Sequence, residues 1–270
     1  MPYDPKTTEV LDIVPALSLM AKGSWQLELA HARDCHLVFW ITRGQGRVLL
    51  DGAQKGFGPH TVLHIPARHL FALELGRQCI GQVLRVPETV PCALPETPCA
   101  LRVSDMQEQA QINALFEAAL REQQRGDDHS DRGLRSYTDL IGITLRRQMD
   151  RRAQTTDKAA GKRLSRAFCQ RLVTLEACQQ NMGEHASALD VTPTHLTRVC
   201  KAETGKTAAT LLTERQLHAA RKFLSASNRP MREIAQDLGF GSPAYFTRFI
   251  SQHTGTTPSQ LRKTSQTAEN

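Results

Sequence analysis

No uninterrupted apolar run in the chain approaches the ~20 residues that a membrane-spanning helix needs, so a transmembrane protein is not expected. The opening residues, Met1-Pro2-Tyr3-Asp4-Pro5-Lys6, lack a basic stretch followed by an apolar core, which argues against a secretion signal and for a cytoplasmic protein. No two of the seven cysteines (Cys35, Cys79, Cys92, Cys99, Cys169, Cys178, Cys200) form a Cys-x-x-Cys pair. An odd, sparse set of this kind reads as reduced, packed thiols rather than a disulfide or zinc framework.

What the chain does have is length and an uneven charge. Its 270 residues, 40% hydrophobic and 23% charged, sit near the average of soluble globular proteins and favour two domains. Residues 1–149 carry 16 Lys+Arg against 17 Asp+Glu, net −1, whereas residues 150–270 carry 18 against 10, net +8. The basic excess is confined to the C-terminal half, the footprint of a polyanion or of an acidic membrane surface. Charge alone does not choose between them.

From Trp25 to Pro87 short β-rich runs alternate with glycine: Trp25 to Ala30, His36 to Thr42, Arg47 to Leu50, Thr61 to Ile65, Phe71 to Leu75 and Ile80 to Val86. Turn-like Gly44-Gln45-Gly46 and Asp51-Gly52 between them predict a small antiparallel barrel or sandwich. Prolines 87, 91, 95 and 98 end it. A helix is expected from Ser104-Asp105 to Gly126, with Gln107 and Glu108 as capping partners, and a second from about Ser130 to Arg152. The second carries Leu134, Tyr137, Leu140, Ile141, Thr144 and Leu145 on one side. These helices either cover the barrel or pair with their copies in a homodimer. The stretch from Arg151 to Arg163, almost without large apolar residues, reads as a linker. The expected division is a β-rich domain over 1–100, a helical region over 101–153, a linker over 154–163 and a helical domain over 164–270.

The last domain contains a repeat. Thr197-Arg198, five residues, Thr204-Gly205-Lys206-Thr207 recurs as Thr247-Arg248, five residues, Thr254-Gly255-Thr256-Thr257, displaced by 50 positions. Thr192-Pro193 and Ser242-Pro243 each supply an N-cap hydroxyl followed by a first-turn proline. Ahead of each stands a short helix and a tight turn at Asp190 or Gly239, so both copies read as helix-turn-helix units. Ala186, Leu189, Val191, Leu196 and Val199 brace the first; Ile234, Ala235, Leu238, Phe240, Phe246 and Phe249 brace the second. The free faces carry Thr194, His195, Thr197, Arg198 and Lys201, and Ser242, Ala244, Tyr245, Thr247 and Arg248. Arginine can give two hydrogen bonds to guanine, threonine offers a hydroxyl or a methyl, and helix N-termini offer N–H groups to phosphate. Arg248 reads a base, binds phosphate or pairs with a neighbouring carboxylate. A helix over Ala208 to Ser225 joins the units.

These residues resemble the DNA-binding domain of the AraC-type transcription regulators over Glu184 to Arg262. The resemblance rests on Leu196-Thr197-Arg198, Glu203-Thr204-Gly205-Lys206, Arg215 with Ala219-Ala220-Arg221, Ile234-Ala235, Leu238-Gly239-Phe240, Tyr245-Phe246-Thr247-Arg248-Phe249 and Gly255-Thr256-Thr257-Pro258. Asp190 departs from the usual glycine, and Ile250-Ser251-Gln252 from a more basic run. The resemblance implies recognition helices over Pro193 to Glu203 and Pro243 to His253, which contact double-stranded DNA through Thr192, Thr194, His195, Thr197, Arg198, Lys201, Ser242, Ala244, Thr247 and Arg248.

It also implies an N-terminal all-β cupin-like barrel that senses a small-molecule effector, to which Gly44-Gln45-Gly46-Arg47, Asp51-Gly52, Gly58-Pro59 and Ile65-Pro66-Ala67-Arg68-His69 are similar. Strand alternation suggests His36 or Trp40 pointing into it, with His69 as a third effector contact. Enzymatic cupins use a His-x-His pair, a glutamate and a later histidine. Here His31 and His36 are too far apart for that pair, so no metal, cofactor or catalytic residue is expected. The implied protein is a regulator rather than an enzyme, with RNA polymerase as a partner if it activates. The rival readings are a cupin-type enzyme with an appended nucleic-acid module and a ligand-independent dimeric DNA-binding protein.

Overall fold

A computed structural model describes residues 10–152 and 160–267, an N-terminal sheet-rich domain followed by a C-terminal helical one. Among the described residues eight strands form two antiparallel sheets: β1 (Asp12–Pro15), β2 (Cys35–Arg43), β3 (Gly46–Leu50), β4 (Ala53–Phe57), β5 (Thr61–Ile65), β6 (Phe71–Leu75), β7 (Ile80–Pro87) and β8 (Cys99–Arg102). The orders are β1-β7-β2-β5-β8 and β4-β3-β6. The two sheets are not joined among the described residues, so of the barrel or sandwich expected from the strand pattern the structure has an open two-sheet sandwich.

Strand alternation sorts the side chains. Leu37, Phe39 and Ile41 of β2 point into the space between the sheets, where they meet Val48, Leu50, Leu63, Phe71 and Leu73. Val38 and Trp40 point the other way, with Val62, Leu84 and Val86, under a pair of helices. Those helices are α2 (Met106–Arg125) and α3 (Ser130–Arg152). Asp105, rather than Ser104, caps α2: its carboxylate accepts from the N–H groups of Gln107 and Glu108, both at 2.9 Å. Gly126 ends the helix at φ 63°. Along α3, Gly142 lies so close to the backbone of Ala93 that a Cβ there would fall 2.6 Å from its carbonyl oxygen. Arg146 donates to the carbonyls of Ala93 and Leu94, each at 2.8 Å. The helices therefore cover the five-stranded sheet. Leu140, expected on the packed side, is 47% exposed.

Other sequence expectations change as well. Trp25 to Ala30 is not a strand: α1 (Trp25–Glu28) is a single helical turn, in which the Glu28 N–H bonds the Ser24 carbonyl at 2.9 Å and the Trp25 indole N–H bonds the Lys22 carbonyl at 2.9 Å. Three strands, β1, β4 and β8, were not anticipated.

Of the expected linker, 154–159 lies outside the described residues, and 160–163 already belongs to α4 (Ala160–Arg171). After α4 the chain makes a 3-10 turn over Glu176–Gln179. Then come α5 (Met182–Ser187), α6 (Pro193–Thr204), α7 (Ala208–Ala226), α8 (Met231–Asp237), α9 (Pro243–Thr254) and α10 (Pro258–Thr267). The outer face of the three-stranded sheet, through Leu49 and Ala72, shares one apolar core with Phe168, Cys169, Leu196, Cys200 and Leu211 of the helical domain. No helix among the described residues is long and apolar enough to cross a membrane.

Candidate nucleic-acid interface

Each helix-turn-helix unit is assembled by local chemistry. In the first, Asn181 and Glu184 form a reciprocal capping box that starts α5. Asp190 then takes the left-handed turn at φ 55°, tolerable because aspartate can adopt that conformation at modest cost. The Thr192 hydroxyl accepts from the His195 N–H at 3.2 Å, and Pro193 fills the first helical position of α6. In the second, Gly239 makes the turn at φ 78° and the Ser242 hydroxyl accepts from the Tyr245 N–H at 3.1 Å to start α9.

The repeated Thr-Gly-x-Thr tails are equally physical. The Thr204 hydroxyl donates to the Cys200 carbonyl at 2.7 Å, as the Thr254 hydroxyl does to that of Ile250 at 2.8 Å. Gly205 and Gly255 close the helices at φ 72° and 71°. Thr207 and Thr257 then cap α7 and α10, accepting from Thr210 and Gln260 at 3.1 and 3.3 Å. One repeated tetrapeptide ends a recognition helix and starts the next helix.

Leu196 and Cys200 anchor α6, and Phe246 and Ile250 anchor α9, all fully buried. Burial pushes the Cys200 thiol up to about 11, so it stays protonated, consistent with an inward structural position. The opposite faces are open. Thr194, Arg198, Lys201, Ala244, Thr247 and Arg248 are exposed, and His195 and Thr197 are half-buried. The Arg198 guanidinium meets His195 Nδ1 at 3.2 Å, one helical turn back. Lys201 donates to the Gly205 carbonyl at 2.7 Å, so its charge also closes the helix C-terminus. Thr192 and Ser242 spend an oxygen lone pair on the cap and keep a hydroxyl proton for an outside acceptor. The Thr247 hydroxyl donates to the Pro243 carbonyl at 2.9 Å, leaving its methyl for contact. Among the described residues Arg248 forms no ion pair, so the neighbouring-carboxylate alternative is not what the structure shows.

Tyr245 belongs with this face. It occupies the repeat position of His195, is 58% exposed, and rests its ring 5.8 Å from that of Phe240. Its equivalence to His195 was the signal that could have placed it among the contact residues. Arg215, by contrast, turns away from solvent: its guanidinium donates to the Leu172 and Val173 carbonyls at 2.9 and 3.0 Å, tying α7 to the end of α4.

The predicted effector residues do not meet between the sheets. Trp40 lies on the helix-covered face of β2, its indole N–H 3.3 Å from the Asn113 side-chain oxygen. His36 shares that face by strand parity, and its ring lies parallel to that of His64 at 6.0 Å. His69 sits on the turn after β5, its Nδ1 3.1 Å from the Ala67 carbonyl. Inward-pointing His36 and Trp40 are thus corrected: the odd residues of β2 fill the inter-sheet space. Burial lowers His36 and takes His64 to about 4, so both rings are neutral at pH 7. Among the described residues no three His, Cys, Asp or Glu side chains are placed to hold a metal ion. A cleft of about 940 Å³ is lined by residues of both sheets, among them Arg47, Phe57, Thr61, Glu74, Leu75 and Arg102.

Two tandem helix-turn-helix units, each with its second helix anchored inward and its polar face outward, define a double DNA-binding module. Residues 185–264 match the family model of a helix-turn-helix domain. The chain is 31% identical over 77 residues to the bifunctional transcriptional activator/DNA repair enzyme AdaA of Bacillus subtilis (strain 168), covering 28% of this chain and 36% of that one. It is 36% identical over 69 residues to the probable transcription factor PqrA of Proteus vulgaris, covering 26% and 57%. The chain thus spans less than two thirds of either relative. Among solved structures, ToxT from Vibrio cholerae O395 aligns over 95% of this chain and 98% of that one, with 11% identity and a TM-score of 0.40.

Proposed function

We propose that this protein is a sequence-specific DNA-binding transcription regulator in which α6 and α9 enter two adjacent major-groove segments of one duplex. The observation that carries the reading is the exposure of equivalent faces on two capped, inward-anchored helices displaced by 50 residues. The 19-residue helix α7 between the units spans ~28 Å at ~1.5 Å per residue. With packing offsets at its ends this suits two grooves one turn apart, ~34 Å. Arg198 and Arg248 read base edges, Thr194, Thr197 and Thr247 contact methyls or phosphates, and the helix N-termini at Thr192 and Ser242 hold phosphate. RNA polymerase is a partner if the protein activates. The N-terminal sandwich supplies control through a small-molecule effector, and the open faces of α2 and α3 are available for pairing with a second copy.

Gel-shift titration on a duplex recovered by in vitro selection tests the reading. Arg198→Ala is expected to weaken binding by ~1–3 kcal/mol and to relax preference at one base position. Unchanged affinity and preference would remove the base-reading role.

A further inference from the structure

The two second helices present chemically different faces at equivalent repeat positions. On α6, Thr194, Arg198 and Lys201 are exposed, with His195 and Thr197 half-buried between them. The Arg198 guanidinium meets His195 Nδ1 at 3.2 Å, which holds it along the helix and leaves its remaining donors for a pair of acceptors such as the guanine edge. On α9 the same positions carry Ala244, Tyr245, Thr247 and Arg248, all exposed, and a half-buried Ser251 where α6 has Lys201. The imidazole that steadies the first arginine is thus replaced by a phenol ring.

Three of the α9 side chains offer carbon rather than a polar hydrogen. Ala244 has only its methyl. The Thr247 hydroxyl donates to the Pro243 carbonyl one turn back at 2.9 Å, so its proton is engaged by the backbone and its methyl is left for contact. Tyr245, at 58% exposure, is the one aromatic among the well-exposed large apolar side chains of the described residues. Its ring is not loose. It rests 5.8 Å from Phe240, which packs on Phe246 at 5.3 Å and on Phe249 at 4.9 Å. Phe246 is fully buried, so the tyrosine stands on an aromatic stack rooted in the core of its unit. A ring held this way loses little side-chain freedom when it is covered, and it gains by shedding water onto an apolar partner. In the major groove the one alkyl group that the four bases present is the C5-methyl of thymine, which alanine, a threonine methyl and an aromatic ring all fit.

We propose that α9 reads its segment of the operator through thymine methyls, contacted by Ala244, the Tyr245 ring and the Thr247 methyl, so that the operator has unlike halves: guanine under α6 and thymine under α9. This rests on the reading of the chain as a DNA-binding regulator with both helices in the major groove, and it names the bases and the side chain that decides between them. Tyr245 is that specificity-determining residue, because the equivalent His195 orients an arginine whereas Tyr245 supplies an apolar surface. From Ala244 to Thr247 the helix rises ~4.5 Å, against ~3.4 Å between successive bases, so the three side chains cover about two neighbouring base pairs. Arg248, one turn beyond Tyr245, donates to a thymine O4 beside the methyls. Unlike halves also fix the direction in which the chain lies on the duplex.

In vitro selection with the full chain, followed by gel-shift titration of the selected duplex, tests the assignment. Selection is expected to enrich thymine in one segment and guanine in the other. Replacing thymine by deoxyuridine removes the C5-methyl and keeps every hydrogen-bonding edge. In the thymine segment this is expected to weaken wild-type binding about fourfold per contacted methyl, the value of one buried carbon. The same replacement in the guanine segment should leave affinity nearly unchanged. Tyr245→Phe keeps the deoxyuridine penalty. The double variant Tyr245→Ala, Thr247→Ser, changed only at exposed positions and checked for folding by its melt, should bind the thymine and deoxyuridine duplexes equally. Arg198→Ala should bind both more weakly and keep the full penalty, because its contact lies in the other segment. The wild-type comparison stands without any variant: absence of a penalty in both segments overturns the proposal. So does a full penalty in the double variant, or its loss in Arg198→Ala, which would put the methyl contacts under α6. Selection that enriches no sequence at all overturns the regulator reading itself, whereas enrichment without a deoxyuridine penalty overturns only the assignment of α9.

Discussion

The two helix-turn-helix units share backbone devices almost atom for atom and differ in what surrounds them. The first is built into the sandwich: Leu196 and Cys200 of α6 share a core with Leu49, Leu70 and Ala72 of the N-terminal domain. The second packs on its own cluster of Phe240, Phe246, Ile250, Ile234 and Leu238, which the N-terminal domain reaches through Leu29. Their outer faces differ too. His195, Arg198 and Lys201 on α6 are answered on α9 by Tyr245, Arg248 and Ser251. The N-terminal domain thus packs against the unit with the more cationic second helix and touches the one with the more apolar second helix far less. The repeat conserves folding chemistry, and the divergence lies in anchorage and charge.

The largest expected effect would expose that difference in anchorage. Phe246→Ala removes a fully buried ring from the second unit, a change that costs ~3–5 kcal/mol. Limited proteolysis with mass spectrometry is expected to show early cleavage confined to α8, α9 and their connection, with the rest of the chain protected. Leu196→Ala, ~2–5 kcal/mol, should instead lower the main transition of the whole chain, because its core is shared. Uniform cleavage in Phe246→Ala would mean the second unit is not separately stable.

Next in size is a response to acid at the junction. His31 of the N-terminal domain and His218 of α7 stack at 3.9 Å with an interplanar angle of 14°, both buried. Trp25 and Phe71 flank the pair, and Arg33, Arg215 and Lys222 are the charges that face it. Burial first, then these cations, holds both rings well below 6.5. A folded-state value depressed below the unfolded one means that the unfolded chain takes up protons first. Stability is therefore fully present above about pH 6.5 and is lost as pH falls below it, by up to ~1.4 kcal/mol per histidine per pH unit. Melts at pH 7.5 and 5.5 should show a loss in the wild type that shrinks in His31→Gln, His218→Gln. An equal loss in the double variant would place the acid sensitivity elsewhere. The second unit's core contains no such pair.

The helical domain was legible because its boundaries are written in residues with one physical use: hydroxyl-Pro starts, a left-handed turn and Thr-Gly stops. Even so, Arg215 reads in sequence as one more basic residue, and only the fold shows it capping α4 carbonyls. The sandwich was less legible for a stated reason. β2 is apolar on both faces, since helices cover one side and the second sheet the other, so alternation in His36-Leu37-Val38-Phe39-Trp40 carries no sign of which face is inward. Trp25-Gln26-Leu27-Glu28-Leu29 alternates perfectly and still forms a helical turn, because the Ser24 and Lys22 carbonyls capture its donors. β4, Ala-Gln-Lys-Gly-Phe, has no β-branched residue and owes its strand to pairing with β3. The cleft residues Thr61 and Arg102 lie 41 positions apart and become neighbours only by register.

The smallest effect tests the difference in charge alone. Lys201 and Ser251 are repeat equivalents on the two recognition helices, so exchanging their chemistry should transfer electrostatic reach without touching either core. Each phosphate contact made by a cation releases condensed counterion, so the slope of log K against log salt should fall by about one in Lys201→Ser and rise by about one in Ser251→Lys. Lys201→Ser also frees the Gly205 carbonyl, a loss from the helix C-terminus of ~0.3–1 kcal/mol. That stability term appears in melts without DNA and has no salt slope of its own in binding, so the two contributions separate. If Ser251→Lys leaves the slope unchanged while Lys201→Ser lowers it, the second helix does not lie on the phosphate backbone at that position. If both change by the same amount in opposite directions, the units sit on DNA equivalently, and their difference comes from residue choice rather than from docking.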